Sequence, residues 1–183
     1  MKIICLHKKN RLMKNLLLPL LFLTAFFRLH AQKKDFAVIP NAGVTLGLIS
    51  SGAGLHAGVN TTYALTNRLS VEGQLSFSTM SGQAYGGRSY NENVASALLG
   101  LRLYFNAPTK NSRIFVNYMA GAMRYHTRYP GEPESRGVDG AGSLGLYFAV
   151  DNRIFFGGSI EGDGYLVVKA GVNLLRKKSS GKS

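Results

Sequence analysis

Three stretches of this chain repeat one pattern: Thr66-Asn67-Arg68-Leu69-Ser70, Asn111-Ser112-Arg113-Ile114-Phe115 and Asp151-Asn152-Arg153-Ile154-Phe155. Each is a polar turn ending in arginine, and each opens a run in which apolar residues alternate with small or polar ones. Each turn also follows an alternating run that ends in large apolar or aromatic residues. Alternation is the period of a β-strand, whose successive side chains point to opposite faces. With the strand before the first hairpin and the strand after the last, the pattern predicts eight strands in antiparallel up-and-down order.

The strands are expected over residues 40–50, 55–65, 69–78, 95–105, 113–125, 139–150, 154–161 and 166–174. In each, one face is rich in Leu, Val, Ile and Ala, such as Val44, Leu46, Leu75, Leu99, Leu101, Leu144, Leu146 and Val168. The other face carries Gly, Ser, Asn and Gln, and on it fall the mid-strand charges Glu72, Arg102, Glu161 and Lys169. An Arg or Lys aimed into lipid at mid-depth costs ~2–4 kcal/mol. The charged face therefore belongs inside a closed barrel, and the apolar face belongs in a membrane. Two acids and two bases on one inner wall can neutralise one another, and Glu72 and Arg102 are expected to meet across strands three and four. The inverse arrangement, a soluble periplasmic ligand-binding barrel, would put the apolar face inside. Aromatics gathered at strand ends and 22 glycines favour the membrane form. Tyr63, Tyr104, Phe105, Phe115, Tyr147, Phe148, Phe155 and Phe156 crowd beside the short turns, as one rim of an aromatic girdle would. Phe77, Tyr85, Tyr90, Tyr125, Tyr129 and Tyr165 mark the other rim.

The first 31 residues read as an export signal. Lys2, Lys8, Lys9, Arg11 and Lys14 precede an apolar run from Leu16 to Phe27, and Leu29-His30-Ala31 places a small residue before a cleavage point. That run is too short to span a bilayer as a helix, which needs ~20 residues. The organisation expected is a signal peptide over 1–31, a barrel domain over 32–176 and a basic tail over 177–183. The formal charge of +13 overstates the exported protein. Six of its 22 Lys and Arg lie in the signal and all nine acids lie after it, which leaves +7. The remaining cations are scattered over turns and strand ends, so nucleic acid is not an expected partner. The single cysteine, Cys5, lies in the signal, so the exported chain has no disulfide, thiol nucleophile or cysteine metal site.

With signal, alternation and turns together, the mature chain resembles the small OmpA/OmpX-type outer-membrane barrels. It is most similar to the outer-membrane β-barrel domain proteins of Bacteroidetes, whose signals often end in Ala-Gln as Ala31-Gln32 does here. The final strand, Lys169-Ala170-Gly171-Val172-Asn173-Leu174-Leu175, follows the polar–glycine–apolar sense of that family's assembly signal without its terminal aromatic. The resemblance implies a Gram-negative outer-membrane location, with outer-membrane lipid, lipopolysaccharide and the barrel-assembly machinery as partners. It also implies a monomer.

No cofactor or metal is expected, since the acids in the connections, Glu132 and Glu134 among them, read as solvated. Eight strands leave an interior that side chains just fill, so Glu72, Arg102, Glu161 and Lys169 are expected to plug the lumen as a stabilising network. A proton or small-ion gate made by rearranging those pairs is the functional alternative. Some small barrels resemble lipid A deacylases, and His126 stands near the outer end of strand five, where such a site belongs. A deacylase needs a hydroxyl nucleophile and an orienting acid within reach of the histidine. The neighbouring outward positions are expected to be Ala95, Ala97, Gly140 and Gly142, and His126-Thr127-Arg128 lacks the family's His-x-Ser arrangement. The expected function is therefore non-enzymatic: a barrel that contributes to envelope integrity and presents two long loops, 81–93 and 127–137. Tyr85, Arg88, Tyr90, Tyr129 and Arg136 are the candidate contacts to an unknown surface partner or to lipopolysaccharide headgroups.

Overall fold

A computed structural model describes residues 36–48, 50–84, 87–106, 112–151, 153–162 and 164–174. The predicted export signal, the basic tail, Tyr85 and the turn around Pro108 lie outside the described residues. Eight strands follow in chain order: β1 (Phe36–Gly47), β2 (Ala53–Ala64), β3 (Leu69–Gln83), β4 (Ser89–Tyr104), β5 (Ser112–Arg128), β6 (Ser135–Val150), β7 (Ile154–Glu161) and β8 (Tyr165–Val172). Each pairs antiparallel with its sequence neighbours. β1 closes the barrel on β8, from Asn41 opposite Gly171 to Gly47 opposite Tyr165.

Register fixes the shape of this barrel. Paired residues run from Arg124 through Ala95, Phe77, Ala57, Ala42, Ala170, Phe156 and Phe148 to Ile114, which is back on β5 ten residues from the start. A stagger of ten over eight strands tilts them to roughly the upper part of the usual 35–45° range. Pro40 lies inside β1, next to the end of the β8 pairing at Asn41; one backbone bond beyond it, Leu174 N–H to Val38 C=O at 3.0 Å, still joins the two strands, so its missing N–H falls where that ladder thins out. The β7–β8 turn uses Gly162 and Gly164 at φ 56° and 112°, and the β6–β7 turn puts Asp151 at φ 51°. Asp tolerates that left-handed conformation better than most residues.

The faces are those of a membrane barrel. Leu55, Leu75, Leu99 and Leu144 on the outer wall are 67%, 65%, 64% and 59% exposed, whereas Glu72 and Lys169 inside are 0% and 2% exposed. A soluble barrel requires the opposite, so that alternative does not fit the fold.

Two expectations need correction. Strands β3 to β6 extend beyond the alternating apolar runs, so the 81–93 loop shrinks to 84–88 and the 127–137 loop to 129–134. Ser81, Gly82, Gln83 and the segment from Ser89 to Asn93 are polar, yet they pair in register. Above an apolar belt a strand has no apolar face to display, so the period that marks it is lost. The aromatics beside the short turns also divide. Phe105, Phe148, Phe156 and Tyr63 face outward. Phe115, Tyr147 and Phe155 turn inward and pack with Ile39 and Ala149 as a core cluster, with Tyr104 against it. Neighbours such as Tyr147 and Phe148 fall on opposite faces because the period is two.

Candidate functional site

The lumen is filled by a polar network built from inward positions of seven strands. Arg102 grips Glu72 with two bonds, Nε to Oε2 at 2.9 Å and Nη2 to Oε1 at 2.5 Å. The pair is diagonal in register, with Glu72 opposite Gly100 and Arg102 opposite Ser70. Asn60 Nδ2 donates to Glu72 Oε1 at 2.5 Å, and Asn117 Nδ2 donates to Glu72 Oε2 at 3.2 Å. Glu72 thus receives a bond from β2, β4 and β5, and a buried carboxylate so paired is satisfied on both oxygens.

A second pair joins β7 and β8. Lys169 Nζ donates to Glu161 Oε1 at 2.8 Å and to Gln74 Oε1 at 2.9 Å. Gln74 Nε2 and Ser159 Oγ donate to the same carboxylate, at 3.2 and 2.8 Å. Asn60 also reaches Gln74 Oε1 at 3.4 Å and accepts from Asn41 Nδ2 at 2.7 Å, which ties the two pairs together and adds β1. The remaining strand, β6, supplies Tyr147, whose ring lies 5.8 Å from Lys169 Nζ.

On the short-turn side the aromatic cluster seals this network. Phe115 stacks on Tyr147 at 5.2 Å, Tyr147 meets Phe155 edge-on at 5.6 Å, and the Arg102 guanidinium lies 4.1 Å over the Phe115 ring. On the long-hairpin side hydroxyls follow: Ser76 to Ser96 at 2.7 Å, and His56 Nδ1 to Ser78 at 2.9 Å. A small cavity there is lined by Thr45, Ser96, Met80, Met123, Glu161 and Tyr165. Glu92 then accepts from Tyr165 and Thr127, each at 2.8 Å. The arrangement holds the wall together from within, with the ring cluster packed at its short-turn end.

Of the surface candidates, Tyr85 lies outside the described residues, Tyr90 and Tyr129 meet, and Arg88 and Arg136 bind separate carboxylates. Tyr90 is 5% exposed, within β4 rather than in a loop; its hydroxyl is 2.6 Å from that of Ser50 and its ring tilts against Tyr129 at 6.3 Å. It is therefore a packing residue. Arg88 pairs with Glu132 at 2.7 Å in the open. Arg136 binds Glu134 at 2.5 Å, and Arg128 binds the same carboxylate.

His126 completes that cluster, with Nε2 at 2.9 Å from Glu134 Oε2. Hydrogen bonds from Arg136, then Arg128 and His126, hold the Glu134 carboxyl down at about 2, well below the ordinary 4.5. Glu134 is thus paired rather than merely solvated. The ladder sets His126 opposite Asn93 and Arg136, two positions from the expected Ala95 on β4 and four from the expected Gly140 on β6. Its hydrogen bond goes to the carboxylate, and none to a serine or threonine hydroxyl appears among the described residues. Those residues also hold no group of three or more His, Cys, Asp or Glu suited to a metal.

Sequence reasoning missed the bridging amides Asn41, Asn60, Gln74 and Asn117. The signal for them was present: each is a polar residue at mid-strand on the inward parity. The three-way hold on Glu134 had no such signal, because it depends on the register of β5 against β6.

No protein-family model matches the sequence, and no curated protein matches it. Among solved structures, the chain is similar to the N-terminal β-barrel domain of Pseudomonas aeruginosa OprF, at 15% identity and a TM-score of 0.46 over 78% of this chain and 98% of that one. It is similar to Ail, the attachment invasion locus protein of Yersinia pestis, at 15% identity and a TM-score of 0.45 over 78% and 97%. It is also similar to Neisserial surface protein A, at 9% identity and a TM-score of 0.47 over 78% and 98%.

Proposed function

We propose that the protein is a non-enzymatic barrel of a Gram-negative outer membrane, delivered by its N-terminal signal and inserted as a monomer by the barrel-assembly machinery. Its contribution is to the integrity of the envelope. The observation that carries this reading is the inversion of its faces, an outer wall of Leu, Val and Phe around an interior of buried polar and charged side chains. Such a wall has no aqueous use, since large contiguous apolar surface in water marks an interaction with membrane or protein. The closed barrel leaves no unpaired sheet edge within that apolar wall, which is the condition for a β-structure to cross lipid. The resemblance of the sequence to OmpA/OmpX-type barrels of Bacteroidetes supports the same location.

The hairpin tips at 84–88 and 129–134 are the parts offered beyond the membrane, with Arg88, Tyr129 and Arg136 nearest to a surface partner or to lipopolysaccharide. Outer-membrane fractions run boiled and unboiled on a detergent gel test the core of the reading. A band that shifts on boiling supports it, and a soluble, unshifting protein overturns it. Deletion of residues 84–88 then tests presentation, which fails if surface binding and envelope permeability stay unchanged.

A further inference from the structure

The outer wall carries one place where the apolar belt is hollowed. On β4, β5 and β6 the outward positions Ala95, Ala97, Ala120, Ala122, Gly140 and Gly142 adjoin in register, with Ala97 opposite Ala122, Ala122 opposite Gly140 and Ala120 opposite Gly142. Bulk surrounds them: Leu75 and Phe77 on β3, Leu99 and Tyr118 beneath, and Val138, itself 68% exposed, alongside. The two glycines are not explained by packing within the chain. A side chain at Gly140 would meet nothing, and one at Gly142 would make only an ordinary contact at 3.7 Å. At Gly100 and Gly121, by contrast, it would strike the backbone of the next strand. The hollow is thus open on its outer side at both glycines.

At the outer mouth of this hollow stands Arg124, which with Ala95, Ala97, Ala122 and Val138 lines a surface groove that continues past Leu75 and Phe77 to Ala57 and Val59 on β2. It is exposed, and no hydrogen bond or ion pair holds it among the described residues. Beyond it the outward positions are His126 and Arg128 on β5, Asn93 and Asn91 on β4 and Arg136 on β6, so Arg124 marks the level at which the apolar belt ends. Three guanidiniums there face one carboxylate, Glu134, which Arg128 and Arg136 already share. Among the described residues, the other arginines and the lysine lie at the short-turn end, in the lumen or, as Arg88, in an exposed ion pair at a hairpin tip. The excess positive charge of the outer wall is therefore gathered over the hollow.

We infer that this hollow binds one phosphate-bearing glycolipid of the outer leaflet. An acyl chain lies over the Ala/Gly floor, and a headgroup phosphate accepts hydrogen bonds from Arg124, with Arg136 and Arg128 in support. Arginine suits that role because its planar fork matches phosphate oxygens. The inference rests on the outer-membrane reading above and names a lipid site within it.

Native mass spectrometry of the detergent-purified full-length barrel, titrated with bis-phosphorylated lipid A and separately with phosphatidylcholine, tests it; a boiled and unboiled gel of each sample reports the fold. One phosphorylated lipid A should be retained in preference to phosphatidylcholine. Arg124→Ala should lower that retention about fivefold, the scale of one arginine near an anionic surface. Gly140→Leu should fill the hollow and lower it as well, with the gel shift unchanged in both variants. A normal gel shift with no preference for lipid A, or with equal retention by both variants, overturns the site and leaves the barrel reading standing. A wild-type spectrum dominated by a dimer that Gly140→Leu dissolves also overturns it, in favour of a second copy of the chain. Loss of the gel shift in the wild-type protein overturns site and barrel reading together.

Discussion

Glu72 is held by three side chains in a lumen from which water has little access, so its worth is revealed by removing one partner. Arg102→Met deletes both bonds to Glu72, a longer one to the Tyr104 hydroxyl and the contact with the Phe115 ring. The carboxylate is left with two amide donors and no counter-charge, and breaking a buried pair in this way costs about 3–5 kcal/mol. The variant should unfold at lower urea in detergent, and Glu72→Leu combined with Arg102→Met should recover most of the loss. A single variant as stable as the wild type would mean that the pair is not structural. At the outer rim the balance is electrostatic and screened by salt. Because the Glu134 carboxyl sits at about 2 in the folded protein against an ordinary 4.5, its ion pairs with Arg136 and Arg128 are complete above about pH 4.5. They are lost as the pH falls from there towards 2. A carboxyl carbon NMR titration of Glu134 should show the low midpoint, rising in Arg136→Ala. An unshifted midpoint near 4.5 would refute the three-way grip.

Among the strands, glycine serves two opposed purposes that one experiment separates. A Cβ at Gly100 would collide with the Tyr118 carbonyl and the Met119 backbone on β5, so β4 and β5 need glycine there to approach. Gly100→Val should abolish the heat-shifted band, whereas Gly140→Val should leave it intact; equal outcomes would show that close strand approach at Gly100 is not limiting. The same contrast explains how much of the architecture could be read in advance. Inside the belt, parity gives each residue one of two faces, and Val168 outward with Lys169 inward needs no more than that rule. Two kinds of feature escaped it. Ends such as 81–83 and 89–93 lie where neither face is apolar, so nothing in their composition separates strand from loop. Tyr90 sits within one of them, which is why it resembled a loop contact and proved to be packed on Ser50 and Tyr129. Contacts between strands, such as those at Glu134, need a register that alternation alone does not supply.

For the molecule as a whole, the lumen must either conduct or be closed, and its layers decide which. An ion entering from the long-hairpin side passes hydroxyls as far as Ser76 and Ser96, then meets Lys169 and Glu161 locked with Gln74. Behind these lie Glu72 and Arg102, and beside them the packed rings of Phe115, Tyr147 and Phe155. Opening one ion pair leaves the other and the rings in place, so a gate made from the charges alone would still end at an apolar seal. Planar-bilayer recordings of the wild-type protein should therefore show no steady conductance, and Arg102→Ala by itself should remain silent. Phe115→Ala and Tyr147→Ala added to Glu72→Ala and Arg102→Ala remove the seal and one pair together. That variant should pass ions if it retains its heat-shifted band. Openings in the wild type that Arg102→Ala alters would instead mean that the rings move with the pair, and the lumen would then be a gate rather than a strut.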